Sequence, residues 1–231
     1  MYLSRVRVAT EGLDRRVLLS LLSGNAYTNH QLLWRLFEDH AERQFLFRQE
    51  MEVEQMGAEQ DPRGLPLFYV LSQSMPTNVP GLLQAETKPF APELQEGEQL
   101  AFRLRANPTV DRKESGKKNA TRHDVLMDAK TQCRRENITD PEEIHARMND
   151  AALQWLHRKS QSAGFRLEGT PQVTGYRQQS IHRKGQDIRF SSIDYEGLLS
   201  ATSPESFKSS LNEGLGRSKA FGCGLMMIRR P

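Results

Sequence analysis

Cysteine, aromatic residues and long apolar runs are all scarce in this chain of 231 residues. The two cysteines, Cys133 and Cys223, lack CxxC spacing and a nearby second ligand, so we expect no disulfide, no zinc site and a reducing, cytoplasmic environment. No apolar run approaches the roughly 20 residues that a membrane helix needs. The opening MYLSRVRV lacks the apolar core of a secretory signal, so the sequence predicts no membrane partner.

Aromatic side chains make up only 7% of the chain, and the motif K/R-G-F/Y-G/A-F-V-x-F/Y of RNA-recognition modules is missing. Proteins that hold single-stranded RNA stack its bases on such side chains. A nucleic acid bound by this chain should therefore be held through its backbone by arginine and lysine. This favours a structured hairpin over a single strand.

The net charge of +3 is small but unevenly distributed. Residues 102–122 contain seven bases and two acids, a balance of +5, whereas residues 38–61 contain eight acids and two bases, a balance of −6. No acid follows Glu213, and the balance there is +4. Two concentrated basic segments favour a polyanion bound on one face of the protein. Ordinary solvated surface charge is the alternative.

Apolar periodicity predicts four strands and one helix in the first half of the chain. The strands are MYLSRVRV, QFLFRQEME, LPLFYVLSQS and EQLAFRLRANP. Thr28 and Gln31 have the spacing of a capping box, and an apolar helical face follows between Leu32 and Phe37. The helix should therefore begin at 28–30, with His30 in its first turn.

The second half of the chain alternates helices and strands. The polar, basic segment 109–135 is predicted to be a linker or a mobile loop. A cap at Thr139 or Asp140 and a glycine at Gly164 predict a long helix between them. A two-stranded hairpin, a short helix over 203–213 and a last strand, CGLMMIRR, should follow.

This order of elements predicts an α+β protein made of tandem ferredoxin-like (RRM-like) domains, with antiparallel sheets and helices on one face. The N-terminal domain would span 1–108, the basic linker 109–135 and the C-terminal domain 136–231. The second helix of the first domain and the first strand of the second are weak in the pattern, and 125–127 could supply that strand. The fold alone assigns no function.

Glycines and cations alternate near the C-terminus, in the stretch NEGLGRSKAFGCGLMMIRRP. The phosphate-binding P-loop and the dinucleotide fingerprint both need a glycine loop between a strand and a following helix, whereas here a helix precedes the loop and a strand follows it. We therefore expect no nucleotide cofactor. The glycines would let the backbone approach a bulky partner such as a phosphodiester chain, with Arg217 and Lys219 supplying charge. A loop that merely turns a corner beside the core is the alternative. The glycines are Gly214, Gly216, Gly222 and Gly224.

The acidic residues form no convincing carboxylate cluster for two-metal chemistry, so no metal is predicted and a histidine is the natural proton carrier. Five of the six histidines have simpler explanations: His145 and His157 lie inside the long helix, His40 lies at a helix end, and His123 and His182 lie in basic surroundings where they could contact phosphate. His30 lies three residues after Tyr27, near a helix N-terminus, which favours a neutral imidazole. A purely structural role for His30 stays open on spacing alone.

The pattern helix–GhGxxxxxGxGhhhh–strand is typical of the RAMP superfamily of CRISPR proteins, and GLGRSKAFGCGLMMI resembles its CasE branch, the pre-crRNA endonuclease subunit of type I-E Cascade. Three further stretches, MYLSRVRV, YTNHQLLWRLF and FRLRANPTVDRKESGKK, are similar to the same family. The resemblance covers nearly the whole chain.

This resemblance implies that YTNH supplies the catalytic pair Tyr27 and His30. His30 would be a general acid or base, and Tyr27 would orient the 2′-hydroxyl, since a phenol is a poor free base at neutral pH. The implied reaction is metal-independent cleavage of CRISPR repeat RNA at the base of its hairpin, leaving a 5′-hydroxyl and a 2′,3′-cyclic phosphate. The expected partners are the repeat hairpin, the mature crRNA and other Cascade subunits.

A group of cations is predicted to hold the RNA backbone, each of which could equally be solvated surface. The candidates are Arg103, Arg105, Arg112, Lys113, Lys117, Lys118, Arg158, Lys159, Arg217 and Lys219. Two alternatives to the endoribonuclease remain: an inactive RNA-binding subunit with the same fold, and a nucleotide-binding regulator that uses the glycine loop.

Overall fold

The computed structural model describes residues 1–9, 26–51, 66–113, 116, 119–183 and 186–231, and these form two compact units. The first unit contains Met1–Glu93 and Lys219–Leu225, and the second contains Leu94–Ser218 and Met226–Pro231. The glycine-rich stretch near the C-terminus is therefore divided between the units: its first part belongs to the second unit, and Lys219–Leu225 belongs to the first.

The first unit is a four-stranded antiparallel sheet in the order β2-β3-β1-β4. This is the strand order of a ferredoxin-like domain, with helix α1 between the first two strands. The elements are β1 (Tyr2–Val8), α1 (Ala26–Trp34), β2 (Phe45–Met51), β3 (Pro66–Ser72) and β4 (Leu83–Pro89).

Both faces of this first sheet carry buried apolar residues. On one face, Leu32 and Leu33 of α1 pack in a cluster with Val6, Phe47 and other strand residues. A second cluster joins Leu46, Leu71 and Leu225, the last of these from the C-terminal segment. Burial on both faces explains why β3 is an almost uninterrupted apolar run, PLFYVLS, rather than an alternating one.

Two predictions for the first unit are wrong. The helix already includes Ala26, so Thr28 lies inside α1 and is not its cap, and His30 is the fifth helical residue described. The fourth strand is Leu83–Pro89, whose sequence LQAETKP carries too little apolar signal to predict a strand. The stretch EQLAFRLRANP, predicted as that strand, pairs within the second sheet instead.

The second unit repeats the same topology. Its sheet has the order β10-β5-β9-β8, and a separate hairpin pairs β6 with β7. The strands are β5 (Gln99–Ala106), β6 (Thr109–Arg112), β7 (Thr121–Asp124), β8 (Phe165–Arg183), β9 (Gln186–Ala201) and β10 (Met226–Arg229). The helices are α2 (Val125–Arg135), α3 (Pro141–Ala163) and α4 (Pro204–Glu213). The tandem ferredoxin-like fold is thus confirmed.

The described part of the segment 109–135 is not the predicted loop, because it contains the paired strands β6 and β7 and then α2. Asp124 caps α2 by accepting hydrogen bonds from the amides of Leu126 and Met127, so 125–127 is helix and does not supply the strand that was considered for it. Only Val125, Leu126 and Cys133 of α2 are buried, and in the sequence these few apolar positions are surrounded by polar residues. The division of the described chain after Glu93 also differs from the boundary expected at residue 108.

The caps predicted for the long helix α3 are confirmed. The side chain of Asp140 accepts a hydrogen bond from the amide of Glu142, and Pro141 occupies the first turn. Gly164 ends the helix with a left-handed φ of 80°. A Cβ at Gly164 would lie 2.7 Å from both the amide nitrogen of Phe207 and the carbonyl oxygen of Ser203, so backbone of the neighbouring turn occupies that space.

We expect Gly164→Ala to lower the free energy of unfolding much more than Gly97→Ala. Gly97 has nearly the same φ, 79°, but nothing lies within 4 Å of its Cβ position, so its substitution tests the backbone strain alone. That strain costs about 1 kcal/mol. The overlap at Gly164 with backbone atoms should add ~1–3 kcal/mol.

Urea unfolding of the two variants and the parent protein measures this difference. Equal losses for both variants would contradict the steric argument and leave only the conformational cost.

Candidate active site and nucleic-acid interface

The predicted catalytic pair lies on α1. Tyr27 and His30 are three residues apart, so their side chains project from the same face of the helix, and both are half-buried. The amide Nε2 of Gln31 donates a hydrogen bond of 3.0 Å to the phenol oxygen of Tyr27. This contact fixes the Tyr27 ring and replaces the capping role that was expected for Gln31.

The imidazole of His30 is held by aromatic residues. Trp34, one turn later on α1, donates its indole Nε1–H to Nε2 of His30 at 3.2 Å. The His30 ring stacks on Phe47 with centroids 6.4 Å apart and an interplanar angle of 21°, and it lies 5.8 Å from the ring of Phe45. An indole N–H can only donate, so this contact requires that Nε2 of His30 is the acceptor.

A buried amide fixes α1 on β2. Asn29 is fully buried, and its Nδ2 donates a hydrogen bond of 2.7 Å to Oε1 of Gln49. Because a buried amide that loses its partner costs about 1–3 kcal/mol, this contact resists sliding of the helix along the strand. Sequence reasoning missed both residues. The only available signal was a polar residue, Asn29, between the two residues of the Tyr27–His30 pair.

The glycine-rich loop contacts the same two elements. A short 3-10 helix, Lys219–Phe221, packs against α1 and β2 in the first unit. Gly222 follows with φ 83°, and a Cβ there would lie 3.2 Å from Cε2 of Phe47. Phe47 is also the ring on which His30 stacks. The predicted glycine loop and the predicted catalytic histidine therefore both contact the ring of Phe47.

The first part of the loop is fixed within the second unit. Asn107 is buried, and its Nδ2 donates a hydrogen bond of 2.7 Å to Oγ of Ser218. Ser218 has φ 57°, a conformation unfavourable for a side-chain-bearing residue, and this strain is typical of functional loops. Gly216 packs on Trp155, with its Cβ position 3.2 Å from the indole. These contacts hold the backbone on both sides of the exposed Arg217.

Three of the predicted RNA-binding arginines form ion pairs. Arg103 and Arg105 on β5 lie opposite Glu196 and Asp194 on β9, with nitrogen–oxygen distances of 2.6 and 2.9 Å. Such cross-strand pairs stabilise the sheet.

Arg112 lies 2.6 Å from Asp128, whose hydrogen bond raises the pKa of the guanidinium. The charge of each of these arginines is thus partly balanced within the protein.

The second unit contains a cavity of about 680 Å³ between the β6–β7 hairpin, α2 and α3. Arg112, Arg158 and Lys159, which are far apart in the sequence, all line it. Arg158 and Lys159 are exposed, and among the described residues no acidic partner is found for either. Lys113 is exposed beside Arg112, whereas Lys117 and Lys118 lie outside the described residues.

The part of the chain that the structure describes contains neither a cluster of metal ligands nor a membrane-spanning helix. No group of three or more histidine, cysteine, aspartate or glutamate residues in it could hold a metal ion. None of its helices combines the length and apolar character needed to cross a bilayer.

Comparison with known proteins identifies relatives along the whole chain. The family described as CRISPR associated protein matches residues 1–230. The CRISPR system Cascade subunit CasE of Escherichia coli K12 is 29% identical over 99% of this chain and 98% of its own length. The CRISPR-associated endoribonuclease Cse3 of Thermus thermophilus is 30% identical over 61% of this chain and 60% of its own length.

Solved structures share the fold. CRISPR endoribonuclease Cse3 bound to a 19-nucleotide RNA matches with a TM-score of 0.67 and 27% identity, covering 99% of this chain and all of that one. Cas6e from Escherichia coli K-12 matches all of both chains with a TM-score of 0.65 and 23% identity, which supports the fold alone. The chain therefore belongs to the family of CRISPR-associated proteins, and its predicted resemblance to the CasE branch is confirmed.

Proposed function

We propose that this protein is an endoribonuclease that cleaves CRISPR repeat RNA at the base of its hairpin and stays bound to the product as a Cascade subunit. The observation that carries the proposal is the shared contact on Phe47, which joins His30 to the glycine-rich loop with its cation Lys219. The names of two relatives, a Cascade subunit and an endoribonuclease, support the same activity.

The chemistry is an attack of the 2′-oxygen on the adjacent phosphorus, with breakage of the bond to the 5′-oxygen of the next nucleotide. The 2′-hydroxyl loses a proton and the departing 5′-oxygen gains one, so the products are a 2′,3′-cyclic phosphate and a 5′-hydroxyl. His30 carries one of these two proton transfers, because an imidazole changes charge near neutral pH. Tyr27, one turn away, positions the 2′-hydroxyl through its phenol group.

The RNA backbone is held chiefly by cations for which the described part of the chain provides no ion pair. Arg158 and Lys159 at the cavity, with Arg217 on the loop, are better candidates than Arg103 and Arg105, which face carboxylates on β9. A cation that already has an acidic partner gains less from a phosphate, since the two anions compete for it. The binding group is therefore smaller than the ten residues that the sequence suggested.

We expect His30→Ala to reduce the single-turnover cleavage rate of repeat RNA by roughly 10²–10⁴-fold, the usual contribution of one positioned acid or base. The affinity for the RNA should change little, since the variant keeps the cations. Cleavage is followed in excess EDTA with end-group analysis of the fragments, which should carry a 5′-hydroxyl and a 2′,3′-cyclic phosphate.

His145→Ala, at an exposed position on α3, is the matched control and should cleave at the parent rate. A parent protein that binds repeat RNA but does not cleave it would support the inactive-subunit alternative. Loss of all activity in EDTA would overturn the metal-independent mechanism.

We expect Gly222→Ala to slow cleavage roughly tenfold, because a shift of well under 1 Å at Phe47 displaces the His30 ring that stacks on it. Gly97→Ala is the control: it has a similar positive φ, 79° against 83°, but no neighbour within 4 Å of its Cβ position. Equal rates for the two variants in a single-turnover assay would show that the Phe47 contact does not position the site.

We expect the double variant Arg158→Ala/Lys159→Ala to bind repeat RNA more weakly and with a smaller salt dependence. Removal of two phosphate contacts should reduce the slope of log affinity against log salt by about 1.4–1.8. Arg147→Ala is the control on the same helix, because Arg147 is ion-paired with Glu143 at 3.1 Å and Glu136 at 3.3 Å. An unchanged slope in the double variant would show that the cavity is not part of the RNA-binding surface.

A further inference from the structure

We propose that Trp34 is a positioning residue that sets the protonation state of His30 through its indole N–H. This inference rests on the proposed role of His30 in RNA cleavage. Its basis is the hydrogen bond of 3.2 Å from Nε1 of Trp34 to Nε2 of His30. The two residues are four apart on α1, a spacing that places their side chains together on one face of the helix.

The indole is itself fixed, so the donor cannot easily leave. Trp34 packs edge-to-face on Phe45 with centroids 5.8 Å apart and an interplanar angle of 79°. It also packs against the apolar cluster between α1 and the sheet. Phe45 in turn contacts the His30 ring at 5.8 Å. Donor, acceptor and their shared neighbour therefore form one packed group, and the N–H stays directed at Nε2.

This geometry opposes protonation of His30 at Nε2. A protonated Nε2 would itself be a donor, and two N–H groups cannot share one hydrogen bond, so the contact must break before that nitrogen takes up a proton. The indole N–H thus stabilises the neutral ring with its proton on Nδ1. Trp34 therefore keeps Nε2 of His30 unprotonated and fixes the orientation of the ring in the same contact, and the indole has to release that lone pair when Nε2 takes up a proton.

The ionisable groups that the described elements bring near His30 are the same in the parent protein and in a Trp34 variant. From α1 itself, Tyr27 is the ionisable neighbour, and β2 presents the uncharged rings of Phe45 and Phe47. The 3-10 helix that packs against α1 and β2 carries Lys219. Neither Tyr27 nor Lys219 changes when Trp34 is replaced, so their effects cancel when a Trp34 variant is compared with the parent protein.

The test is an NMR titration of the histidine rings in the parent protein and in Trp34→Phe, without RNA. Phenylalanine keeps an aromatic ring against Phe45 and removes only the N–H donor. The midpoint of the His30 titration should rise by about 0.5–1 pH unit, the equivalent of one lost hydrogen bond of ordinary strength. The midpoints of His145 and His157, on α3 of the second unit, are internal controls and should not move.

The second readout is the single-turnover cleavage rate as a function of pH. In Trp34→Phe, the limb of the pH–rate profile that depends on His30 should move to higher pH by the same number of pH units. The affinity for repeat RNA should stay unchanged. An unshifted or lowered midpoint of His30, or an unshifted limb, would overturn the inference. If Trp34 had only a structural role, its replacement would change the melting temperature but would shift neither the His30 titration midpoint nor the pH profile of the cleavage rate.

A measurement on the parent protein avoids any risk that the variant misfolds. The indole N–H resonance of Trp34 should shift with the same pH midpoint as the His30 ring, because protonation of Nε2 breaks the contact. Trp155 is the other tryptophan of the chain, and its resonance should show no such transition. A pH-independent Trp34 resonance would also overturn the inference.

The two proposals can fail separately. If His30→Ala cleaves RNA at the parent rate, the proposed catalyst is wrong whatever Trp34 does. If His30→Ala is inactive but Trp34→Phe shifts neither the His30 midpoint nor the pH profile, the proposed endoribonuclease function is supported and only the proposed role of Trp34 is wrong.

Discussion

The ring of Phe47 is the contact on which the arrangement of the site depends. It is buried in the core between α1 and the first sheet, it stacks with His30, and it meets the backbone of Gly222 where no side chain would fit without a shift. A residue near position 30 and a residue near position 222 thus become neighbours through one side chain on β2. The close approach requires a glycine, because φ at Gly222 is 83° and the space beyond Cα is occupied.

The distribution of arginines shows why charge patterns in sequence overestimate a binding surface. Along β5 the alternation of Arg103 and Arg105 has the period of a strand, and each side chain meets a carboxylate at the opposite position of β9. These acids are some ninety residues away in sequence. The positive charge of the basic segment is therefore partly balanced only by the pairing of β5 with β9, which the local sequence does not show. Arg158 differs because it is exposed on α3, where it lines the cavity, and no ion pair is found for it among the described residues.

The sequence predicted the features that local rules determine. The caps of α3 and the two-stranded hairpin follow from spacing and turn residues, and the structure places both where they were expected. The catalytic roles of Tyr27 and His30 stay a prediction, although the structure places both residues on α1. Strand β4 and helix α2 were missed because their stability comes from tertiary contacts: β4 pairs with β1, and α2 buries only three residues. The cavity could not be predicted because its lining comes from separated elements.

The neutral His30 expected from the sequence stays a prediction, and the structure gives it a different physical argument. A position in the first helical turn was expected to disfavour the imidazolium through the helix dipole, yet His30 is at least the fifth residue of α1, where that effect has faded. The indole of Trp34 supplies a more local reason, since a donor facing Nε2 favours a neutral ring wherever the helix begins. A hydrogen bond also fixes direction, which a dipole does not. Under the proposed role of Trp34, the same contact disfavours a proton on Nε2 and fixes the direction of the ring, and a proton transfer at one phosphodiester bond depends on direction as well as on charge state.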